Sequence, residues 1–305
     1  MNQSRNLIVI VGPTAIGKTS LAIELAKHYQ TEIISADSRQ FFKEMSIGTA
    51  KPSDEELAAA PHHFINSHSI TQLFSTGDFE IQALALIEKL FTKHHILVMV
   101  GGSGLYINAI CNGLDDMPET DLNIREQLNQ QFTNEGIEPI KEQLKALDPE
   151  YFAKVDQSNP QRMIRGLEMV LSTGQKLSSF LTSNKKERPF NIIKIGLNTD
   201  RAQLYNQINH RVDIMIENGL VEEVKSLEAY KELNALKTVG YSEIFDYFDG
   251  KIDLSTAIDK IKQNTRRFAK RQLTWFKRDT ETVWFEPGQT EEVISHIEQR
   301  LRSFC

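Results

Sequence analysis

Apolar positions along this chain recur with two periods, and the alternation between those periods lays out its elements. Residues 7–11 are a short β-branched run ending in a glycine-rich turn, and residues 18–28 then carry Leu21, Ala22, Leu25 and Ala26 at helical spacing. This predicts strand, loop, helix. The order continues with a second strand at 32–35, a helix at 78–92 with Ser75 or Thr76 as its cap, and a buried strand at 96–100. After that strand come Gly101, Gly102, Ser103 and Gly104, and another helix.

From 121 to 181 only the helical period remains, with breaks expected at Gly136, Asp148-Pro149, Asn159-Pro160 and Gly174. A strand at 191–197 then restores the first pattern. Helices follow at 201–217, 221–232, 242–248 and 254–277, with a late strand at 282–285 and a closing helix at 291–302. Strands alternating with helices predict an α/β fold: a P-loop-type, mostly parallel sheet covered by helices on both faces. The helical stretch reads as an all-helical insertion domain over 113–189, inside a discontinuous core formed by 1–112 and 190–305. No internal repeat or low-complexity tract is present.

Composition narrows the function classes. Of 305 residues 40% are hydrophobic and 25% charged, which excludes disorder, collagen and coiled coil. Only two cysteines occur, Cys111 and Cys305, too few for a disulfide framework or a four-ligand zinc site. The N-terminal residues lack the layout of a signal peptide, and the apolar runs are far shorter than the roughly 20 residues of a bilayer span, so a reducing, cytoplasmic setting without a membrane is expected. The net charge is -6, from 35 Lys plus Arg against 41 Asp plus Glu, and does not favour a polyanion as a whole. Between 260 and 278, however, Lys260, Lys262, Arg266, Arg267, Lys270, Arg271, Lys277 and Arg278 occur without one acid. That local reversal fits phosphate contact on a selected face. The apolar set Ile258, Ile261, Phe268, Trp275 and Phe276 in the same stretch reads as a core stripe rather than a base-stacking platform.

Gly12, Pro13, Thr14, Ala15, Ile16, Gly17, Lys18 and Thr19 match G-x-x-x-x-G-K-[ST] between a predicted strand and a predicted helix, the context that motif requires. Its glycines let successive amides turn inward on phosphate oxygens, Lys18 adds a mobile charge, and the Thr19 hydroxyl can complete a magnesium shell. The pattern specifies phosphates, not a nucleotide. A P-loop ATPase also needs an acid at the end of a neighbouring strand, yet the 96–100 strand ends in Gly101-Gly102-Ser103. The acid stands instead after the second strand, as Asp37. Both turns belong at the carboxyl edge of the sheet, so Asp37, Ser103 and the P-loop are expected around one crevice.

These residues and four further segments resemble the tRNA dimethylallyltransferase (tRNA isopentenyltransferase) family over nearly the whole chain. The resemblance rests on GPTAIGKTSLAIELA from Gly12, ISADSRQFF from Ile34, IGTAKPS from Ile47, VGGSGLY from Val100, NPQRMIRGLE from Asn159, TVGYSE from Thr238 and RRFAKRQLTWF from Arg266. It implies transfer of a dimethylallyl group from dimethylallyl diphosphate to the exocyclic amine of the adenosine 3' of the anticodon, in tRNAs reading codons that begin with U. By matching motifs, Asp37 is implied as general base or hydrogen-bond acceptor, and Ser103 stands where the family more often has threonine. Ser38, Arg39 and Gln40 are implied to lie against tRNA, as are Arg125 and the segment Gln161, Arg162, Met163, Ile164 and Arg165, with Arg211 on the diphosphate and Mg2+ as cofactor. A monomer is expected.

Bland readings stand beside these. Asp37 also suits a magnesium ligand or a turn cap, Ser103 a plain helix cap, and Arg162 with Arg165 a salt-bridged helix face. His62-His63 and His94-His95 lack ligand partners at metal spacing and read as structural. A P-loop small-molecule kinase using ATP shares the cradle and is the rival reading; an RNA-binding protein without chemistry is the third.

Overall fold

The first strand, β1 (Asn6–Val11), is buried along its whole length, and its pleat divides its side chains between two cores. Leu7, Val9 and Val11 join one apolar cluster while Ile8 and Ile10 join another, which is possible only for a strand covered on both faces. The same division holds for Leu97 and Met99 against Val98 and Val100 in β4 (Ile96–Val100). In this computed structural model, which describes residues 4–182 and 184–304, six strands form one sheet in the order β3-β2-β4-β1-β5-β6. The others are β2 (Ile33–Ser35), β3 (His62–His63), β5 (Asn191–Leu197) and β6 (Val283–Phe285), and every neighbouring pair is parallel. The carboxyl ends of β1, β2 and β4 therefore open on the same edge. Cys305 lies outside the described residues.

Helices α1 (Lys18–His28), α2 (Asp54–Ala59), α3 (Thr76–Leu90) and α4 (Gly104–Asn112) belong to the first half. Ser75 caps α3 through a reciprocal bond with Asp78, the capping box that fixes its start. Residues up to Asn112 and from Glu187 onward form one compact unit, and Gly113–Lys186 form a second. The second unit is helical throughout: α5 (Leu122–Glu135), α6 (Glu138–Leu147), α7 (Pro149–Lys154), α8 (Pro160–Thr173) and α9 (Leu177–Phe180) pack around Leu128, Ile140, Leu144, Met163, Ile164 and Leu167. Its helices break where the sequence indicates, with Gly136 and Gly174 at positive φ and Asp148 and Asn159 capping helices that begin with proline.

The second unit ends at Lys186 rather than at 189. The reason is Arg188, whose guanidinium bonds the Ala109 and Ile110 carbonyls at the end of α4 and pairs with Glu80 at 2.7 Å, which ties residues 187–189 to the sheet unit. The chain closes with α10 (Arg201–Glu217), α11 (Leu220–Ser226), α12 (Tyr241–Phe248), α13 (Leu254–Phe276) and α14 (Thr290–Ser303). The helix read at 221–232 stops at Ser226 and continues as a separate short 3-10 turn, Glu228–Tyr230.

Periodicity missed α2 and β3. The first is a six-residue helix set by the Ser53–Glu56 capping box, and the second is two histidines without apolar alternation. His63 pairs in register with Ile34, and together with His94 it holds the Glu32 carboxylate at 2.6 and 3.2 Å, so these two histidines are structural. No helix among the described residues is long and apolar enough to cross a membrane.

Candidate active site

Three turns at the carboxyl edge of the sheet and two helices build one crevice. The first turn leaves β1 at Gly12, whose φ of 149° and approach to the Leu197 carbonyl, 2.6 Å from where a Cβ would stand, exclude any other residue. Gly17, at φ 94°, opens α1 without a side-chain cap, which leaves the amides of its first turn for an anion. Lys18 folds back to donate to the Pro13 carbonyl at 2.7 Å. Not every loop amide turns inward, because the Thr14 N–H donates to Gln272 Oε1 at 2.8 Å.

The second turn follows β2. Asp37 Oδ1 accepts the amides of Arg39 (2.9 Å) and Gln40 (3.2 Å), so the turn-cap reading is correct for that oxygen, while Oδ2 has no protein partner among the described residues. Ser103, on the turn after β4, does not cap α4 with its side chain. Its Oγ accepts the Ser38 amide and donates to Ser38 Oγ, both at 3.0 Å, and these two bonds fix a rotamer that serine lacks the methyl to restrict. Gly101 brings the two turns together, since a side chain there would strike the Ala36 carbonyl. The Gln40 side-chain amide donates to the Thr49 and Ala50 carbonyls and thus holds the loop at 46–51.

That loop is anchored from α11. Glu223 accepts the amides of Ser46, Ile47 and Gly48 at 2.7 to 3.0 Å and the Tyr241 hydroxyl at 2.6 Å. Lys51 is tied to the Phe42 carbonyl and Asn66 Oδ1, both at 2.5 Å, and burial brings its ammonium down to about 8 against the opposing charges of Glu223 and Glu44. From α10, Arg211 reaches Thr14 Oγ1 and the Ala50 carbonyl at 3.5 Å.

Two adjoining cavities result. The larger, ≈ 470 Å³, is lined by Thr14 to Thr19 of the P-loop, Asp37, Lys51, Arg211 and Gln272. The smaller, ≈ 230 Å³, shares Thr14, Asp37, Arg211 and Phe268 with it and adds Ser38, Arg39, Ser103 and an apolar wall of Ile208, Val212, Met215, Val239 and Ile261. The larger is faced by three cations, Lys18, Lys51 and Arg211. Burial, then the nearby Arg211 charge, lower the Lys18 ammonium to about 7 with Asp37 opposing, and burial also lowers Arg211 and Arg39. A phosphate in the first cavity, an apolar group in the second and a carboxylate bordering both are what a group transfer from a diphosphate requires.

In the helical unit, Arg125 and Arg165 converge on Glu168, a fully buried carboxylate, at 2.7 and 3.1 Å, and Arg165 also reaches Thr120. The salt-bridged reading thus applies to Arg165, yet the side chains of Arg125 and Arg165 remain 45% and 36% exposed. Gln161 and Arg162 are exposed. Met163 and Ile164 are corrected: both sit in the core of that unit, so their side chains cannot meet a ligand. The α13 stripe is corrected as well. Ile261 and Phe276 are buried, but Phe268 and Trp275 are 38% and 41% exposed.

Sequence reasoning passed over Gln272, Glu223 and Glu168. Gln272 was hidden in a stretch read for its charge, and a carboxylate that accepts amides far away in sequence leaves no local pattern. Gln272, buried, joins the Thr14 amide to the Gly102 carbonyl (2.8 Å each), and so pins α13 to two of the three turns.

Comparison with known proteins agrees with this geometry. A profile of the IPP transferase family matches residues 40–279. The chain is 56% identical over 301 residues to the tRNA dimethylallyltransferase of Christiangramia forsetii, covering 98% of this chain and 100% of that one. It is 52% identical over 304 residues to that of Flavobacterium johnsoniae, covering 97% and 98%. Among solved structures it resembles the full-length tRNA isopentenylpyrophosphate transferase of Bacillus halodurans, with a TM-score of 0.72 and 36% identity over 98% and 97% of the two chains. It also resembles a eukaryotic dimethylallyltransferase described as acting on tRNA, with a TM-score of 0.80 and 26% identity over 97% of this chain and 77% of the other. Profile, relatives and crevice agree: the chain belongs to the IPP transferase family of tRNA dimethylallyltransferases.

Proposed function

We propose that this protein transfers a dimethylallyl group from dimethylallyl diphosphate to the exocyclic amine of the adenosine 3' of the anticodon, in tRNAs reading codons that begin with U. The observation that carries this reading is Asp37, which borders both the phosphate-lined cavity and the apolar one. Breaking the allylic carbon–oxygen bond leaves positive charge on carbon and negative charge on diphosphate, and the P-loop amides, Lys18 and Arg211 stabilise the latter. An adenine amine is a weak nucleophile, and Asp37 Oδ2 takes its proton as the carbon–nitrogen bond forms. Ser103, held by Ser38, orients the same turn.

A magnesium ion fits the residues present, because that cation takes few protein oxygens besides phosphates and water, and Thr19, whose hydroxyl would supply one, lines the larger cavity. When bound, it adds charge stabilisation to the departing diphosphate. Arg39 and Ser38 line the smaller cavity beside Ser103, where the acceptor amine meets Asp37. Arg125, Gln161, Arg162 and Arg165 are exposed or half-exposed donors suited to phosphates of the anticodon stem-loop. A monomer is proposed as the working unit, and a tRNA substrate supports a cytoplasmic site of action. The kinase reading is not favoured by the relatives.

The test is a transfer assay with Mg2+, dimethylallyl diphosphate and unmodified tRNA, read by nucleoside mass spectrometry. Asp37→Asn retains the turn but not the base, so the rate falls at least about 100-fold while tRNA binding persists. Lys18→Ala weakens diphosphate use. Absence of prenylated adenosine together with phosphate transfer from ATP to a small metabolite would overturn the reading in favour of a kinase.

A further inference from the structure

One face of α13 runs the length of the crevice and beyond it. Ile261, Thr265, Phe268, Gln272 and Trp275 recur three or four residues apart, so they share that face. Ile261, Thr265 and Phe268 line the smaller cavity, and Gln272 is locked to Thr14 and Gly102. Trp275 comes next, beyond the residues that line the two cavities. Its Cδ1 and Nε1 edge lies against Gly104, where a side chain would collide with the indole, so the ring is seated one residue from Ser103. Yet 41% of the residue stays exposed, and Leu105 beside Gly104 is 49% exposed. A tryptophan serving only to pack α13 on α4 would be covered.

We propose that the Trp275 indole is a stacking platform for an unpaired nucleobase neighbouring the adenosine that enters the crevice, a role that rests on the proposed function. An adenosine leaving its stack strips its neighbours of a stacking partner, and a fixed aromatic face at the mouth replaces that partner. The surroundings match this ligand: Lys270, Arg271, Lys277 and Arg278 flank Trp275 within five residues, and no acid occurs between 260 and 278. Cations beside an exposed aromatic ring are the surface that single-stranded RNA takes. Because Gly104 holds one edge of the indole, little freedom is lost when a base settles on the other part.

Trp284 is the one other tryptophan, so Trp284→Phe makes Trp275 the single indole reporter in a chain otherwise intact. An anticodon stem-loop RNA with an unpaired target adenosine is titrated into this variant, with a fully paired RNA of the same length as control. The expected result is quenching of Trp275 fluorescence by the stem-loop and loss of its access to iodide, with the duplex much weaker. In the otherwise unaltered chain, Trp275→Ala raises the KM for stem-loop about tenfold, leaves the KM for dimethylallyl diphosphate unchanged, and is largely rescued in Trp275→Phe. Transfer to RNA with Trp275 still fully open to iodide at saturation overturns the stacking role and leaves the function standing. Failure of the unaltered chain to bind or prenylate any RNA overturns both.

Discussion

Lys18 illustrates how a residue named by a motif acquires its chemistry only from its neighbours. It bonds the Pro13 carbonyl, and burial with Arg211 nearby brings it to about 7. A diphosphate restores the charged form, so binding takes up a proton near neutrality. Calorimetry in buffers of different ionisation enthalpy checks this: uptake approaching one proton is expected near pH 8, with diphosphate affinity falling by up to about tenfold per unit above pH 7. Lys18→Arg, which cannot deprotonate, abolishes the uptake. The linkage to folding has the opposite sign, since above pH 7 the unfolded chain holds the proton more tightly, and this lysine's contribution to stability rises with pH. Asp37 and Ser103 were legible as site residues from their motifs. The turn that Asp37 caps was legible too, but the partner of Ser103 was not, because its bonds to Ser38 span 65 positions.

At the scale of elements, the loop at 46–51 has little secondary structure of its own, and Glu223 with Tyr241 supplies its shape. Burial, with the Glu223 charge and hydrogen bond, pushes the Tyr241 phenol far above its ordinary range, so it remains a donor to that carboxylate. The ring leaves no room for a side chain at Gly48, whose Cβ would stand 2.5 Å away. Glu223→Ala leaves three amides and a buried hydroxyl without their acceptor, and urea unfolding is expected to show a loss of about 2 kcal/mol. The same variant raises the KM for dimethylallyl diphosphate, because Thr49, Ala50 and Lys51 of the loop that Glu223 anchors line the phosphate cavity and Arg211 bonds the Ala50 carbonyl. The segments IGTAKPS and TVGYSE were visible as separate motifs. That they are the two halves of one anchor is a fact of packing, since α11, which carries the acid between them, contains no motif.

Across the molecule, several carboxylates have folded values below their ordinary range for one reason: burial alone would raise them, but hydrogen bonds outweigh it. Glu32 is held down by His63 and His94, Glu44 by Ser69 and Ile70, Asp148 by Ser178 and Tyr151, and Glu168 by Arg125, Thr120 and Arg165. A depressed carboxylate contributes stability above its unfolded value, and that contribution is lost as pH falls through the folded one. The urea midpoint is therefore expected to drop steeply below about pH 4.5, and Glu32→Gln to shallow the decline, as followed by circular dichroism. Two of these acids belong to the helical unit and two to the sheet unit, so each carries its own acid lability.

The sequence by itself determined the alternation of strands and helices, the helical insertion and the phosphate loop, because each depends on local period, caps or a contiguous motif. Asp37 and the basic run on α13 were legible on the same grounds. Tertiary structure alone decided which buried side chains hold the site. Gln272 links turns 258 and 170 positions away, and Glu168 orders two arginines. It also decided that Trp275 stays exposed while Met163 and Ile164 do not, for helical spacing indicates which residues share a face but not what covers it.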